Sequence, residues 1–209
     1  MTVGEHIKLR EGIMYNTYLD TTGNLTGGVG HLLTPQEAEL YPEGTALSAD
    51  VVDTWFIVDV VEAKRAAQQQ AKLLSNPSPE LVGGLVSVNF QLGSNWYKEH
   101  KKTWALLVKG KYFEAAVEAA DSKWYRQTPV RVEDFQQILI NEAKKERTMK
   151  EKLIKLGKQP TTWMGLVAVL GAVLGLPTGS GEQLATLLAG VVGIIYPEKV
   201  EPELPVKEK

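Results

Sequence analysis

From Leu81 to Leu92 the chain carries Leu81, Val82, Leu85, Val86, Val88, Phe90 and Leu92 without a single charge. A helix with that text is apolar on most of its faces and is stable only with neighbours on several sides. The stretch therefore predicts a buried central helix, and the rest of the chain must supply its wrapping. Asn76-Pro-Ser-Pro79 breaks the chain just before it. Upstream, Ser48 reads as an N-cap with Asp50 in the first turn, and Val51, Val52, Trp55, Phe56, Val60 and Ala63 follow helical spacing. That predicts a long helix over 50–74. Downstream, helices are predicted near 100–109, 111–122 and 133–156.

The N-terminal part has a different texture. Residues 3–11 predict a short helix with Val3, Ile7 and Leu9 facing inward. Tyr15, Thr17 and Leu19 then alternate, Asp20-Thr-Thr-Gly23 turns the chain, and Leu25 to Val29 return, which is a hairpin pattern. Gly27, Gly28 and Gly30 follow, and Pro35, Pro42 and Gly44 read as an irregular loop. The expected class is α+β, mostly α: a small β-hairpin lobe and a larger helical lobe joined by the 50–74 helix.

Composition removes several kinds of chemistry. With no Cys there is no disulfide, thiolate metal site or Cys nucleophile, and His6, His31 and His100 are too scattered for a multi-His metal site. No metal or cofactor is implied. A net charge of -2 argues against a nucleic-acid partner. The near-neutral total hides a partition, however: residues 1–95 sum to -6, residues 96–158 to +6 and residues 159–209 to -2. Gly-Gly-x-Gly at 27–30 is no phosphate loop, because no Gly-Lys-Ser/Thr follows it.

Without metal or thiol, hydrolytic chemistry falls to carboxylates. Taken singly, Glu11 reads as a surface helix acid, Asp20 as a turn former and Thr26 as a β-branched strand residue. Their joint spacing is more specific: Glu11-Gly12, then Tyr18-Leu-Asp20-Thr-Thr-Gly23, then Thr26-Gly-Gly-Val-Gly-His31-Leu-Leu33. A second block lies far downstream, with Phe90-Gln-Leu-Gly93, Ala115-Ala116, Trp124-Tyr-Arg-Gln-Thr-Pro129 and Arg131. Over roughly residues 3–140 this text resembles the phage-type lysozymes, glycoside hydrolase family 24. The resemblance implies hydrolysis of the β-1,4 bond between N-acetylmuramic acid and N-acetylglucosamine in peptidoglycan. It implies Glu11 as general acid, Asp20 as the opposite carboxylate and Thr26 as a positioner of water, with inversion at the anomeric carbon.

Further roles come from the same resemblance. Arg131 is expected to pair with Glu11, either orienting it or serving as a plain ion pair. His31 is expected to pair with Asp59 on the interlobe helix, a structural role. Leu32, Phe90, Gln91 and Thr103 match substrate-contact positions, with Gln91 also readable as a core amide and Thr103 standing where a serine is usual. Glu118 departs from the family pattern, which has an asparagine there. The segment between His31 and Asp59 is shorter than in the T-even enzymes, which implies a trimmed small lobe. The basic stretch suits an anionic wall, although Glu142, Glu146 and Glu151 also read as a solvated helix face.

No charge occurs between Lys158 and Glu182. Two apolar arms, 163–176 and 184–196, flank Pro177-Thr-Gly-Ser-Gly181 and predict a helical hairpin followed by a charged tail. The expected domains are thus 1–158, catalytic, and 159–209, the hairpin and tail. Each arm falls short of the ~20 residues that span a bilayer, yet interior Gly and Ala and terminal Trp163 and Tyr196 suit a membrane. The reading favours inner-membrane association through 161–196; the alternative is a soluble hairpin packed on the enzyme or on a second copy. Since Met1 to Arg10 lack a signal-peptide run, the expectation is a product of the host cytoplasm that acts on the wall in the periplasm. Host lysis is the expected role; the alternatives are a virion-carried lysozyme that acts during entry and a holin-like membrane protein with a wall-targeting lysozyme module.

Overall fold

A computed structural model describes residues 1–158 of the chain. The expected hairpin at 159–209 lies outside the described residues. Met1–Glu146 packs as one compact unit, and the site described below lies within it.

The first helix, α1 (Val3–Glu11), starts on a capping box in which the Thr2 hydroxyl accepts from the Glu5 N–H and the Glu5 carboxylate accepts from the Thr2 N–H. Ile7 is its buried residue and Val3 packs against the core edge. Leu9, expected to face inward, is 67% exposed, because the inner stripe of so short a helix is only one residue wide at that level. Gly12, at φ 76, ends the helix in a conformation that favours glycine.

Three antiparallel strands follow in the order β1 (Met14–Leu19), β2 (Leu25–Gly28) and β3 (His31–Leu32). Their register sets Tyr18 opposite Thr26, Thr26 opposite Leu32 and Gly27 opposite His31. Gly27 is needed for close approach: a Cβ there would meet Leu47 Cδ1 at 2.9 Å and Trp55 Cζ3 at 3.2 Å. The segment expected as an irregular loop contains a helix, α2 (Pro35–Leu40). Its start is a second capping box, Thr34 with Glu37, and Pro35 at the first helical position belongs to the helix rather than breaking it.

Ser48 caps α3 (Ala49–Ala71), whose first half packs on β2 and β3 and whose length then runs beside α4 (Pro79–Leu92). No side chain from Leu81 to Leu92 is exposed, as the central-helix reading requires. Gly84 lets a later helix approach, since a Cβ there would stand 3.0 Å from Ile138 Cδ1. Between α3 and α4 a reciprocal amide pair is buried: Gln70 Nε2 donates to Asn89 Oδ1 at 2.9 Å, and Asn89 Nδ2 donates to Gln70 Oε1 at 2.8 Å. Such a pair satisfies both amides and fixes the register of the two helices.

A 3₁₀ turn, Trp96–Lys98, leads to α5 (Lys101–Val108), α6 (Tyr112–Ala120), α7 (Lys123–Gln127) and α8 (Pro129–Gly157). The five-residue α7 was not separately expected; its Ser122 cap, accepting from the Tyr125 N–H, is the local signal for it. Trp96, Trp124 and Phe135 meet edge to face or tilted and fill the centre of the helical lobe.

Candidate active site

Glu11 is the last residue of α1, so its carboxylate leaves the helix end and is fixed by what lies beyond it. Arg131 of α8 supplies that anchor, with Nη2 at 2.8 Å from Glu11 Oε1. The two side chains are 7% and 25% exposed, so the pair sits at the protein edge with the carboxylate outermost. The same Nη2 donates to the Ser87 carbonyl at 3.3 Å, and Nε makes a long 3.5 Å contact with Gln91 Oε1. Burial lowers the guanidinium pKa from its usual value, and the negative charges of Glu11 and Asp134 oppose that shift. Arg131 Nη1 is buried and has no hydrogen-bond partner among the described residues.

A second tie lies one residue back on α1. Arg10 donates through Nε and Nη2 to the two oxygens of Asp134, at 2.7 and 2.8 Å, and His6 Nε2 stands 3.2 Å from the same carboxylate. Arg10-Glu11 on one helix thus meets Asp134 and Arg131 on the other, and the crossed charges set how α1 lies on α8. Nothing in the local sequence pointed to His6, Arg10 or Asp134. Their complementarity is readable only once the two helices are known to touch.

Asp20 is held by its own turn. Its Oδ1 accepts from the Thr22 N–H, the Thr22 hydroxyl and the Asn24 N–H, each at 2.8 Å. The Asn24 N–H and then the Thr22 hydroxyl hold the carboxyl down at about 2, well below the usual carboxylate range. Its Oδ2 has only a 3.4 Å contact with Asn24 Nδ2, which leaves that oxygen open to a ligand. Thr26 donates its hydroxyl to the Asn24 carbonyl at 3.2 Å and faces Tyr18 across the sheet. Burial raises the Tyr18 phenol above its ordinary pKa, and the charges of Asp20 and Glu11 raise it further. Both carboxylates therefore lie within electrostatic reach of one phenol.

His31 stacks on Trp55 with ring centroids 4.6 Å apart. Its Nδ1 is 2.9 Å from Asp59 Oδ2, and its Nε2 is 3.3 Å from Glu37 Oε2. Burial pulls the imidazole pKa down, but the two carboxylates outweigh burial and leave it raised. Glu37 is a partner the sequence reading lacked, because it sits on the helix taken for loop.

The expected substrate contacts divide. Leu32, 58% exposed, stands beside Thr26 on the neighbouring strand, and Phe90 is half-buried with its ring 5.8 Å from Phe56. Gln91 is engaged internally: its Oε1 accepts from Trp124 Nε1 at 3.0 Å and its Nε2 donates to Thr128 Oγ1 at 3.0 Å. Of its two readings, the core amide describes it, and it steadies Arg131. Thr103 is 3% exposed, so the expectation of a hydroxyl in the cleft is corrected: it belongs to the packed face of α5. Glu118 is partly exposed and stands 3.8 Å from Lys102 Nζ. Among the described residues no three His, Asp or Glu side chains converge as metal ligands.

One carboxylate held at a helix end and one held at a hairpin tip are the two acidic groups that glycoside hydrolysis calls for. A model of the family described as phage lysozyme matches residues 8–146, and the chain belongs to that family. It is also similar to a protein of Dictyostelium discoideum named "Probable T4-type lysozyme 2". The two are 29% identical over 145 residues, covering 60% of this chain and 85% of that one. The chain is accordingly a glycoside hydrolase of the lysozyme kind, a family whose substrate is peptidoglycan.

Proposed function

We propose that this chain is a muramidase that cuts the β-1,4 bond between N-acetylmuramic acid and N-acetylglucosamine, with inversion, to lyse a bacterial host. The observation that carries the reading is a pair of held carboxylates, Glu11 fixed by Arg131 at 2.8 Å and Asp20 fixed through Oδ1 by Thr22 and Asn24 with Oδ2 left open. The glycosidic oxygen is a poor leaving group, so Glu11 gives it a proton as the bond to the anomeric carbon breaks. Arg131 holds the Glu11 carboxyl in one orientation for that transfer. Asp20, ionised and anchored through Oδ1, keeps Oδ2 for the attacking water and the positive charge that develops on the sugar. Thr26 helps to place the water, whose proton passes to Asp20 as its oxygen bonds to the anomeric carbon from the face opposite the leaving group. The same reading makes the chain a product of the host cytoplasm, with 161–196 as its contact with the inner membrane.

Purified peptidoglycan treated with the wild-type chain and with Glu11→Gln tests the chemistry. Hydrolysis is expected to fall by about 10² to 10⁴ in the variant, and an undiminished rate overturns the assignment. Vesicle flotation of the full chain against residues 1–158 tests the tail. The full chain is expected to float and the truncated one to stay in solution, and equal behaviour removes the membrane contact.

A further inference from the structure

On the far side of α4 from the catalytic pair lies a polar groove to which nothing above gives a role. Asn89 and Gln91 are two residues apart, about 200° around the helix, so one faces α3 and the other faces Arg131. The α3 side opens into a pocket of about 340 Å³ lined by Glu62, Arg65, Gln69, Asn95, Tyr97 and Trp104. Its size lies at the low end of the ~300–1,000 Å³ of ligand sites. The floor is fixed by the buried Gln70, which also donates to the Ser94 carbonyl at 3.3 Å. The wall is aromatic: Tyr97 and Trp104 lie with ring centroids 5.6 Å apart, and Trp104 is braced edge-on by Trp96. A shallower depression lined by Arg65, Gln68, Gln69 and Lys72 continues the groove along α3.

Charge sharpens the identity of the occupant. The acidic first 95 residues hold only five basic side chains, Lys8, Arg10, Lys64, Arg65 and Lys72. Lys8 and Arg10 are paired with Asp53 and Asp134, whereas Arg65 and Lys72 make no ion pair among the described residues. Two open cations, a cluster of amides and an aromatic platform together match a ligand of three properties. It has flat-faced sugar rings to lie on Trp104 and Tyr97, amide and hydroxyl groups for Gln69 and Asn95, and carboxylates for Arg65 and Lys72.

We infer that this groove is a second binding site for a peptidoglycan glycan strand, taking N-acetylated sugar rings at Trp104 and lactyl or stem-peptide carboxylates at Arg65 and Lys72. It rests on the reading of the chain as a muramidase and extends it: the enzyme holds the wall at one place while it cuts at another. The test uses the full chain carrying Glu11→Gln, which binds without cutting, in co-sedimentation with insoluble peptidoglycan. Adding the exposed pair Arg65→Ala and Gln69→Ala is expected to weaken pelleting by about fivefold, and Trp104→Ala to do at least as much. In the otherwise wild-type chain, Arg65→Ala with Gln69→Ala is expected to slow wall clearing while leaving cleavage of a soluble N-acetylglucosamine–N-acetylmuramic acid tetrasaccharide within about twofold. Unchanged pelleting in both sets overturns the inference, as does a parallel fall in tetrasaccharide cleavage. A wild-type chain that cleaves neither substrate defeats the muramidase reading instead, and the pelleting comparison still judges the groove.

Discussion

The two carboxylates at the site are secured in opposite ways. Glu11 is oriented by a guanidinium 120 residues away, itself braced by Ser87 and Gln91 of α4 and, through Gln91, by Trp124 and Thr128. Asp20 is held by Thr22 and Asn24, within four residues of itself. One half of the machinery therefore depends on the packing of the helical lobe, and the other travels with a single turn. Disturbing the first should cost stability and rate together, and disturbing the second should cost mainly rate.

Asp20→Asn is expected to show the largest and cleanest effect. The asparagine carbonyl can still accept from Thr22 and Asn24, so the turn should persist and unfolding stability should fall less than in a variant that removes Arg131. Loss of the charge should lower wall hydrolysis by about 10³-fold. Chemical denaturation beside a turbidity assay separates the two. Because Asp20 is held at about 2, it remains more than about 90% ionised above pH 3. The acid side of the pH–rate profile above that pH should accordingly carry no step that disappears in Asp20→Asn when its residual rate is measured.

Arg131→Met strikes the other half. Freeing Glu11 from its anchor is expected to lower the rate by about 10²-fold. Leaving Glu11 and Gln91 without their buried partner should also lower stability by about 3 kcal/mol. A stability loss without a rate loss at a temperature where the variant is folded would mean that the pair is only structural. Gly27→Ala probes the packing beneath Thr26. Its new methyl group meets the rigid Trp55 ring at 3.2 Å as well as Leu47, and a loss of about 2 kcal/mol is expected.

The most pH-dependent effect belongs to His31→Asn. The folded protein raises the His31 pKa, so the protonated pair with Asp59 and Glu37 stabilises fully below the unfolded value of about 6.5. That contribution is lost as pH rises through the raised folded value. The variant should be about 2 kcal/mol less stable at pH 5.5, with the difference shrinking on the alkaline side. A difference that grows with pH would contradict the pairing.

What the sequence disclosed and what it hid follow the same division. The hairpin and its Asp20 turn were legible because their determinants are local: alternation, a Gly at φ 84 and a side chain that caps its own loop. The central helix was legible because an uncharged run admits few other fates. Leu9 and Thr103 were misjudged because a short helix does not reveal which face its neighbours will cover. Pro35–Leu40 was missed although Thr34 and Glu37 spell a capping box, since two nearby prolines were read as loop. The Arg10–Asp134 bridge had no local trace at all. Arg131 was reached through resemblance, not through any pattern around it.

The direct test of the central claim is the stereochemistry of the first product. Proton NMR during the first minutes of hydrolysis of a soluble glycan strand reads the anomeric proton before mutarotation. With Glu11 as acid and a water held at Asp20 and Thr26, the newly formed reducing end appears first as the α anomer. Initial formation of the β anomer would contradict the account.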